Sequence, residues 1–484
     1  MLRKITFFTL MLFIVVIAVV LVRTFTLQEI RWSRREPRFA ISQEHLHLFE
    51  KNLMDSLRIA TISPQREEER NHKVFLSFHD FLRQKFPLVH RHLIVRKINK
   101  LSLLYLWPGR DREKKPAVFL GHYDVVPAGD GWQYPPFAPQ KVGEFIYGRG
   151  AIDDKVTVIG LLQAAELLLR QGFMPERRVY FAFGHDEENG GWQGGKLMAD
   201  LLKKEIGEAE FVLDEGGAIT LGLVPGVALP VATIGVAEKG YLSLKLLARG
   251  EGGHSSAPPF DSATEKLIKA LMRLQDNPFP TRLTSIQKEM FAYLAPYMPF
   301  WQKIALANLW LFEPFLLTQF KGSKTGRAST TTTMTATILS AGQKENVVPH
   351  EAMAVVNLRL LPPTSREEAK SYVEEITQGL VLVENLSFYS DPSPISPMGP
   401  QARGFGEIAT TLKSLREDII VTPYLVLGAT DSRHYTSLTP HVYRFSPIYF
   451  TADDFQRMHG KDERISLSSL EFALRFYCLL LEQM

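Results

Sequence analysis

The stretch Val179-Tyr-Phe-Ala-Phe-Gly184-His185-Asp186-Glu187-Glu188-Asn189-Gly190-Gly191 sets the reading of the whole chain. Its first half is a run of aromatic and small apolar residues, the pattern of a strand buried on both faces. A histidine and three consecutive acids follow at once. Crowded carboxylates repel one another unless cations or shifted pKa values compensate, so a functional loop explains this segment better than a solvated one. The same pattern recurs on either side. Ala117–Leu120 reads as a strand running into Gly121-His122-Tyr123-Asp124, and Phe211–Leu213 as one running into Asp214-Glu215-Gly216-Gly217. Val156–Arg170 reads as a helix between them. Short apolar strands alternating with helices predict an α/β domain with a largely parallel sheet, which places ligand sites at its strand ends.

From about Val236 the texture changes. Leu242–Ala248, Thr331–Ile338 and Ala352–Leu360 are β-rich, with helices expected at 262–275 and 366–379. This predicts a smaller α+β domain inserted into the first. The expected divisions are 1–38, an N-terminal anchor and linker; 39–235, the leading segment of the catalytic domain; 236–389, the insert; and 390–484, the closing segment of the catalytic domain. Phe291–Phe320, rich in Trp, Phe and Leu, is assigned to the insert. It reads either as the wall of a channel for a long acyl chain, or as ordinary core or a helix pair resting on a membrane.

The formal charge of the 484 residues is +4. Seven Arg/Lys against two Asp/Glu in residues 1–38 leave the body at −1, so no basic surface for nucleic acid is expected. The tail is uncharged from Ile5 to Val22, about 18 residues, the lower end of what spans a bilayer. Val19-Val-Leu-Val-Arg-Thr-Phe offers no small-residue cleavage site, which favours a single-pass transmembrane helix over a cleaved signal. Arg23, Arg31, Arg34, Arg35 and Arg38 after the span outnumber Arg3 and Lys4 before it; taken alone, that bias puts the body on the cytoplasmic side. The one cysteine, Cys478, lies in an apolar run and excludes an intrachain disulfide. Asn385-Leu-Ser is a glycosylation sequon.

His122 and Asp124 stand two apart at a strand end and share a face, so the carboxylate suits a partner that orients a histidine ligand. In Gly148-Arg-Gly-Ala-Ile-Asp153-Asp154-Lys155, the paired acids read as helix capping or as a carboxylate bridging two metals. Met458-His459-Gly460-Lys461 adds a second histidine in a polar loop. Together these motifs supply nitrogen and oxygen donors suited to zinc, with positions left for water. His254, in Gly-Gly-His-Ser-Ser, reads as turn chemistry or as a catalytic group. Arg359 reads as a solvated strand residue or as a bidentate clamp for a free carboxylate.

The series GHYDVVP (121–127), GRGAIDDK (148–155), GHDEENGG (184–191), LDEGG (213–217), GGHSSAPP (252–259), NVVP (346–349) and MHGKDE (458–463) resembles the two-zinc family that includes aminoacylase, carnosine dipeptidase, succinyl-diaminopimelate desuccinylase and carboxypeptidase S. GHSSAPP, NLWLFEP (308–314) and YRFSPIY (443–449) resemble its animal branch of N-fatty-acyl-amino-acid synthase/hydrolases. The resemblance spans about residues 45–480. It implies a zinc-exopeptidase-like α/β fold, with a mixed, mostly parallel sheet flanked by helices and an inserted lid or dimerisation domain. It implies two Zn2+, His122 and Asp214 holding one, Glu188 and His459 the other, and Asp153 bridging them through a cis Asp153–Asp154 peptide. Glu187 is then the general base, Asp124 the partner of His122, and His254 an oxyanion donor brought by the insert, sometimes from a partner subunit. Asn346 and Arg359 match the family's substrate-binding pair, and the loop with Asp431 and Arg433 lines the pocket; His434 is left out of the ligand set. The implied substrate is an N-acyl amino acid, with a small peptide as the alternative. A homodimer and a lumenal, extracellular or periplasmic body are also implied.

Overall fold

The computed structural model describes residues 2–64, 66–386 and 390–484. Strand Val179–Gly184 lies inside a ten-stranded mixed sheet, between antiparallel Ser102–Trp107 and parallel Ala117–His122. The sheet continues in parallel through Phe211–Asp214 and Val442–Arg444. Val231–Glu238 then joins antiparallel and carries Ile420–Val426 as a parallel neighbour. Ala117 and Phe119 pack into one hydrophobic core, Val118 and Leu120 into another on the opposite face. Burial on both faces is why these strands read as continuous apolar runs rather than alternating ones.

Helix Lys155–Arg170 is buried along nearly its whole length. It packs against the last helix, Leu467–Leu481, where Gly160 leaves room for the Tyr477 ring. Lys155, at its first turn, is fully buried and donates to the carbonyls of Ser56 and Ile59 at 3.0 and 2.6 Å. Burial pushes its pKa down to about 7. Cys478 is buried in the last helix.

A separate four-stranded antiparallel sheet, in the order Thr333–Ala341, Glu351–Leu360, Gly240–Arg249, Leu382–Asn385, forms the unit expected from the sequence as a lid. Helices Ala263–Asp276 and Arg366–Thr377 pack on it around their own core. Each helix starts with a capping box, Ser262 with Glu265 and Ser365 with Glu368. The sequon's Ser387 and the expected division after residue 389 fall on residues outside those described.

The assignment of Phe291–Phe320 to the insert is corrected. Helix Ser285–Leu294 packs on strand Ile420–Val426 of the large sheet, and Ile286, Tyr293 and Leu294 join cores of the large-sheet unit. None of these residues enters the lid core. Helix Phe300–Ala307 lies against the end of the N-terminal helix, Leu2–Thr26, and helix Leu309–Lys321 has no buried residue. Chain order misleads here, because the segment returns to the first domain between two lid strands.

The N-terminal helix is long and apolar enough to cross a membrane, and no residue of its apolar window is buried. The segment after it is tied to the body. Trp32 packs on Tyr293 and Phe405, Arg35 N–H donates to Ser414, and Arg38 N–H to Glu482.

Candidate active site and metal centre

Strand Ala117–His122 delivers His122 to the carboxyl edge of the sheet. Its Nδ1 meets the Asp124 carbonyl at 3.0 Å and the Asp124 carboxylate at 3.3 Å, leaving Nε2 free to point into the site. Nε2 lies 2.9 Å from one oxygen of Asp153. The other oxygen of Asp153 is 2.8 Å from His459 Nε2. One carboxylate thus separates two imidazoles, one at each of its oxygens. Glu188 stands 3.4 Å from His459, and Glu187 4.0 Å from His122. The Asp153–Asp154 peptide is cis.

Asp214, expected with His122 on one metal, is buried and held by the backbone. Its carboxylate accepts from the backbone N–H of Ser432 at 2.8 Å and of Glu215 at 3.0 Å, so both of its oxygens are engaged by the backbone. The next residue, Glu215, reaches His122 Nε2 at 3.1 Å. Sequence reasoning missed Glu215, and adjacency gives no parity rule here because the strand ends at Asp214.

Glu463 ties two distant motifs together. Its carboxylate accepts from Arg149 at 2.6 Å and from the backbone N–H groups of Gly150, Ile152 and Asp153. Arg149 also donates to the Gly460 carbonyl, so the Asp153 turn and the His459 loop are held as one piece. Asp124 likewise accepts from the N–H groups of Glu187 and Glu188. Gly191, at φ 68°, is required: a Cβ there would overlap the buried Asp431 carboxylate.

The remaining expected residues form two groups. Arg359 lies with its guanidinium 4.7 Å from the Tyr241 ring, and its pKa is lowered by burial and by nearby Arg433. Arg433 in turn borders Gly190 in the loop that carries Glu187 and Glu188. His254 and Asn346 meet at the other end of the lid, where Gly253–His254 pairs with Val347–Val348. His254 is exposed and bonds Ser256 at 2.7 Å; among the described residues it makes no hydrogen bond to the carboxylate cluster. His434 bonds the Gly190 carbonyl, and burial lowers its pKa to about 4.

The donor set fits divalent cations. His122, Asp153 and Glu188 form one group whose ligand atoms converge, and His122, Asp154 and Glu215 another. Buried oxygens of Glu188 and Asp154 have no hydrogen-bond partner. Orphaned carboxylate oxygens beside imidazoles are costly unless a cation completes them.

Proton affinities tell the same story. Burial, with Asp153 nearby, raises Glu188 to about 6 and Glu215 to about 8. Hydrogen bonds to Asp153 and Glu188 raise His459 to about 10. In the metal-stripped chain these groups hold protons that the unfolded chain has released. The stability they lend is complete below the ordinary values of 4.5 and 6.5, and is lost as pH rises through about 6, 8 and 10. A cation displaces those protons, so fewer must be displaced at higher pH. The gap in Tm between metal-loaded and chelator-stripped protein is therefore expected to widen from about pH 5.5 to about pH 8. Calorimetry at matched pH checks this, and a constant or shrinking gap contradicts it.

A mixed sheet with histidines and carboxylates converging at its strand ends defines the class of candidate metal-dependent enzymes. Residues 118–483 match the peptidase family M20/M25/M40, and the chain belongs to that family. Two relatives are similar over nearly the whole chain. The probable carboxypeptidase S-like 2 of Dictyostelium discoideum is 36% identical over 93% of this chain and 89% of its own length. The N-fatty-acyl-amino acid synthase/hydrolase PM20D1 of Xenopus tropicalis is 35% identical over 97% and 93%. Among solved structures, the M20 family metallo-carboxypeptidase Sso-CP2 from Sulfolobus solfataricus shares the fold with a TM-score of 0.66, at 18% identity over 90% of this chain and 98% of its own. Human carnosine dipeptidase 1 shares it with a TM-score of 0.60, at 15% identity over 91% and 96%. The chain is a hydrolytic enzyme.

Proposed function

We propose that this enzyme hydrolyses, and in reverse forms, the amide bond of N-acyl amino acids, with fatty-acyl amino acids as substrates and two Zn2+ as cofactors. The observation that carries this reading is Asp153, flanked by His122 at one oxygen and His459 at the other. His122 and Glu215 would hold one zinc, Glu188 and His459 the other, and Asp153 both. Bound there, the cations supply an acidified water and polarise the amide carbonyl.

The chain's own groups do the rest. Glu187 takes the water's proton as the new C–O bond forms, then returns it to the leaving nitrogen as the C–N bond breaks. The products are a carboxylate and a free amine. Burial holds the Glu187 carboxyl well above its ordinary pKa, with His122 opposing, which suits a group that must carry a proton between two steps. Asp124 fixes the His122 ring and anchors the Glu187 backbone. Arg359 and Arg433 are the cations placed for the amino acid's free carboxylate. Lid closure, or a partner's lid, brings His254 to the developing oxyanion, with Asn346 beside it. The exposed edge strand Thr333–Ala341 supports a homodimer. The N-terminal helix holds the body at a membrane, on the extracellular, lumenal or periplasmic side, with a signal cleaved on secretion as the alternative.

A second reading, a zinc carboxypeptidase for small peptides, is favoured by the name of the Dictyostelium relative. Hydrolysis of acetyl-, octanoyl-, palmitoyl- and oleoyl-phenylalanine, set beside dipeptides, separates the two. Each buried methylene is worth about 0.8 kcal/mol, so kcat/KM is expected to rise by up to about fourfold per methylene while the chain remains in apolar surroundings. Equal rates on acetyl and oleoyl conjugates sink the fatty-acyl reading and put the peptidase ahead.

A further inference from the structure

The helical hairpin Phe300–Ala307 and Leu309–Lys321 turns an unusually apolar face outward. Phe300, Trp301, Trp310 and Phe315 are 53, 66, 52 and 55% exposed, and the second helix buries no residue. A face of this kind is unfavourable in water and marks a surface meant for something apolar. What covers it is indicated by its neighbour. Asn308, itself fully buried, donates through its side chain to Thr24 Oγ1 at 3.1 Å and to the Val20 carbonyl at 3.3 Å. Phe25 packs on Phe300 with ring centroids 5.8 Å apart. These contacts all fall in the last two turns of the N-terminal helix.

That helix is 25 residues, about 37 Å long. A bilayer's hydrocarbon layer is about 30 Å thick, so its last turns sit at the body-side boundary of any membrane it crosses. The hairpin is fixed at that level. Its helices have 8 and 13 residues, about 12 and 20 Å, too short to span. Exposed tryptophans at such a boundary match the amphipathic belt residues of membrane interfaces. The only acid on the hairpin, Glu313, is paired with Lys288 at 3.1 Å, while Lys303 and Lys321 remain to meet lipid headgroups. The adjoining loop presses Gly226 against Gln302 and leaves Leu223 and Leu229 partly exposed on the same side.

We propose that the hairpin Phe300–Lys321 is a second membrane element, lying in the lipid headgroup and upper acyl region beside the N-terminal helix and seating the catalytic body directly on the bilayer. The proposal rests on the reading of Leu2–Thr26 as an anchor. It gives an amphiphilic N-acyl substrate a short path from the membrane to the enzyme, and it assigns the apolar segment a role other than walling a channel.

The test uses the full chain in phosphatidylcholine vesicles. Nitroxide labels are placed singly by Phe13→Cys, Trp301→Cys, Trp310→Cys and Phe315→Cys, with Met272→Cys on the lid as a reference; native Cys478 is buried and stays unlabelled. Relative accessibility to oxygen and to a water-soluble nickel chelate reads depth. Position 13 is expected in the acyl core, 301, 310 and 315 in the headgroup to upper acyl zone, and 272 in water. If 13 is in the bilayer while 301, 310 and 315 are in water, the anchor stands and the docking proposal is overturned. If 13 is also in water, the anchor reading falls and takes the proposal with it. Shielding of the hairpin labels from both reagents marks a second protein copy on this face and likewise overturns it. Independently, brominated phosphatidylcholine is expected to quench the unlabelled chain, and Trp301→Phe/Trp310→Phe to lose most of that quenching; undiminished quenching in the double variant counts against the hairpin.

Discussion

Glu187→Gln is expected to lower kcat by about 10²–10⁴-fold while leaving metal content and Tm unchanged. The amide keeps the size and the backbone hydrogen bond to Asp124, but it accepts no proton from water. The loss corresponds to about 3–5 kcal/mol of barrier, the scale of a single proton-transfer step. Glu188→Gln is the necessary companion, because the neighbours differ in what they face. Glu188 lies 3.4 Å from His459 and leaves a buried oxygen unpartnered, as a ligand does, whereas Glu187 lies beside His122. Metal analysis of both variants decides between the roles. Should Glu187→Gln strip metal and Glu188→Gln retain it, the two assignments are exchanged.

Asp153→Ala is expected to empty both metal positions at once and to reduce activity to background. Its two oxygens each meet a different imidazole, so no other residue replaces it for either cation. The variant also leaves His122 and His459 without the carboxylate they share and removes whatever stability metal binding lends the folded chain, which predicts a lower Tm as well. Two zinc ions per chain with normal turnover would rule out the bridging role. The same metal analysis tests the exchange of Asp214 for Glu215. Glu215→Gln is expected to lose one of the two ions, and Asp214→Asn to keep both while loosening the Ser432 loop that its carboxylate holds.

Much of this is readable in the amino acids themselves. Strand Val179–Gly184 and its acidic loop, the strand ends at His122 and Phe211–Asp214, and the lid strands 240–249 and 351–360 all follow from local apolar runs and from where they stop. Motif spacing carries the family, and with it the bridging role expected of Asp153. Two features are not readable. The edge strand Ile94–Ile98 and its neighbour Ser102–Trp107 escape a reading of the sequence, although they complete one side of the large sheet. The segment around Phe291–Phe320 reads as belonging to the lid because it lies between lid strands in sequence.

What the sequence by itself determined was the set of chemical groups and the strand ends that carry them, since apolar run length and residue type are local properties. Which of two adjacent carboxylates lies against His122 was decided only by tertiary structure. Phe445 N–H takes the Asp214 carbonyl at 2.7 Å and Ser432 N–H takes its side chain at 2.8 Å, both from far along the chain. Those bonds hold the buried Asp214 carboxylate on the backbone, while Glu215 reaches His122. The apolar hairpin obeys the same logic: its composition says only that it avoids water, and Asn308 bonded to Thr24 sets it beside the N-terminal helix. Short-range sequence specifies conformation, but the direction in which a side chain points at the end of an element depends on partners the chain brings from far away.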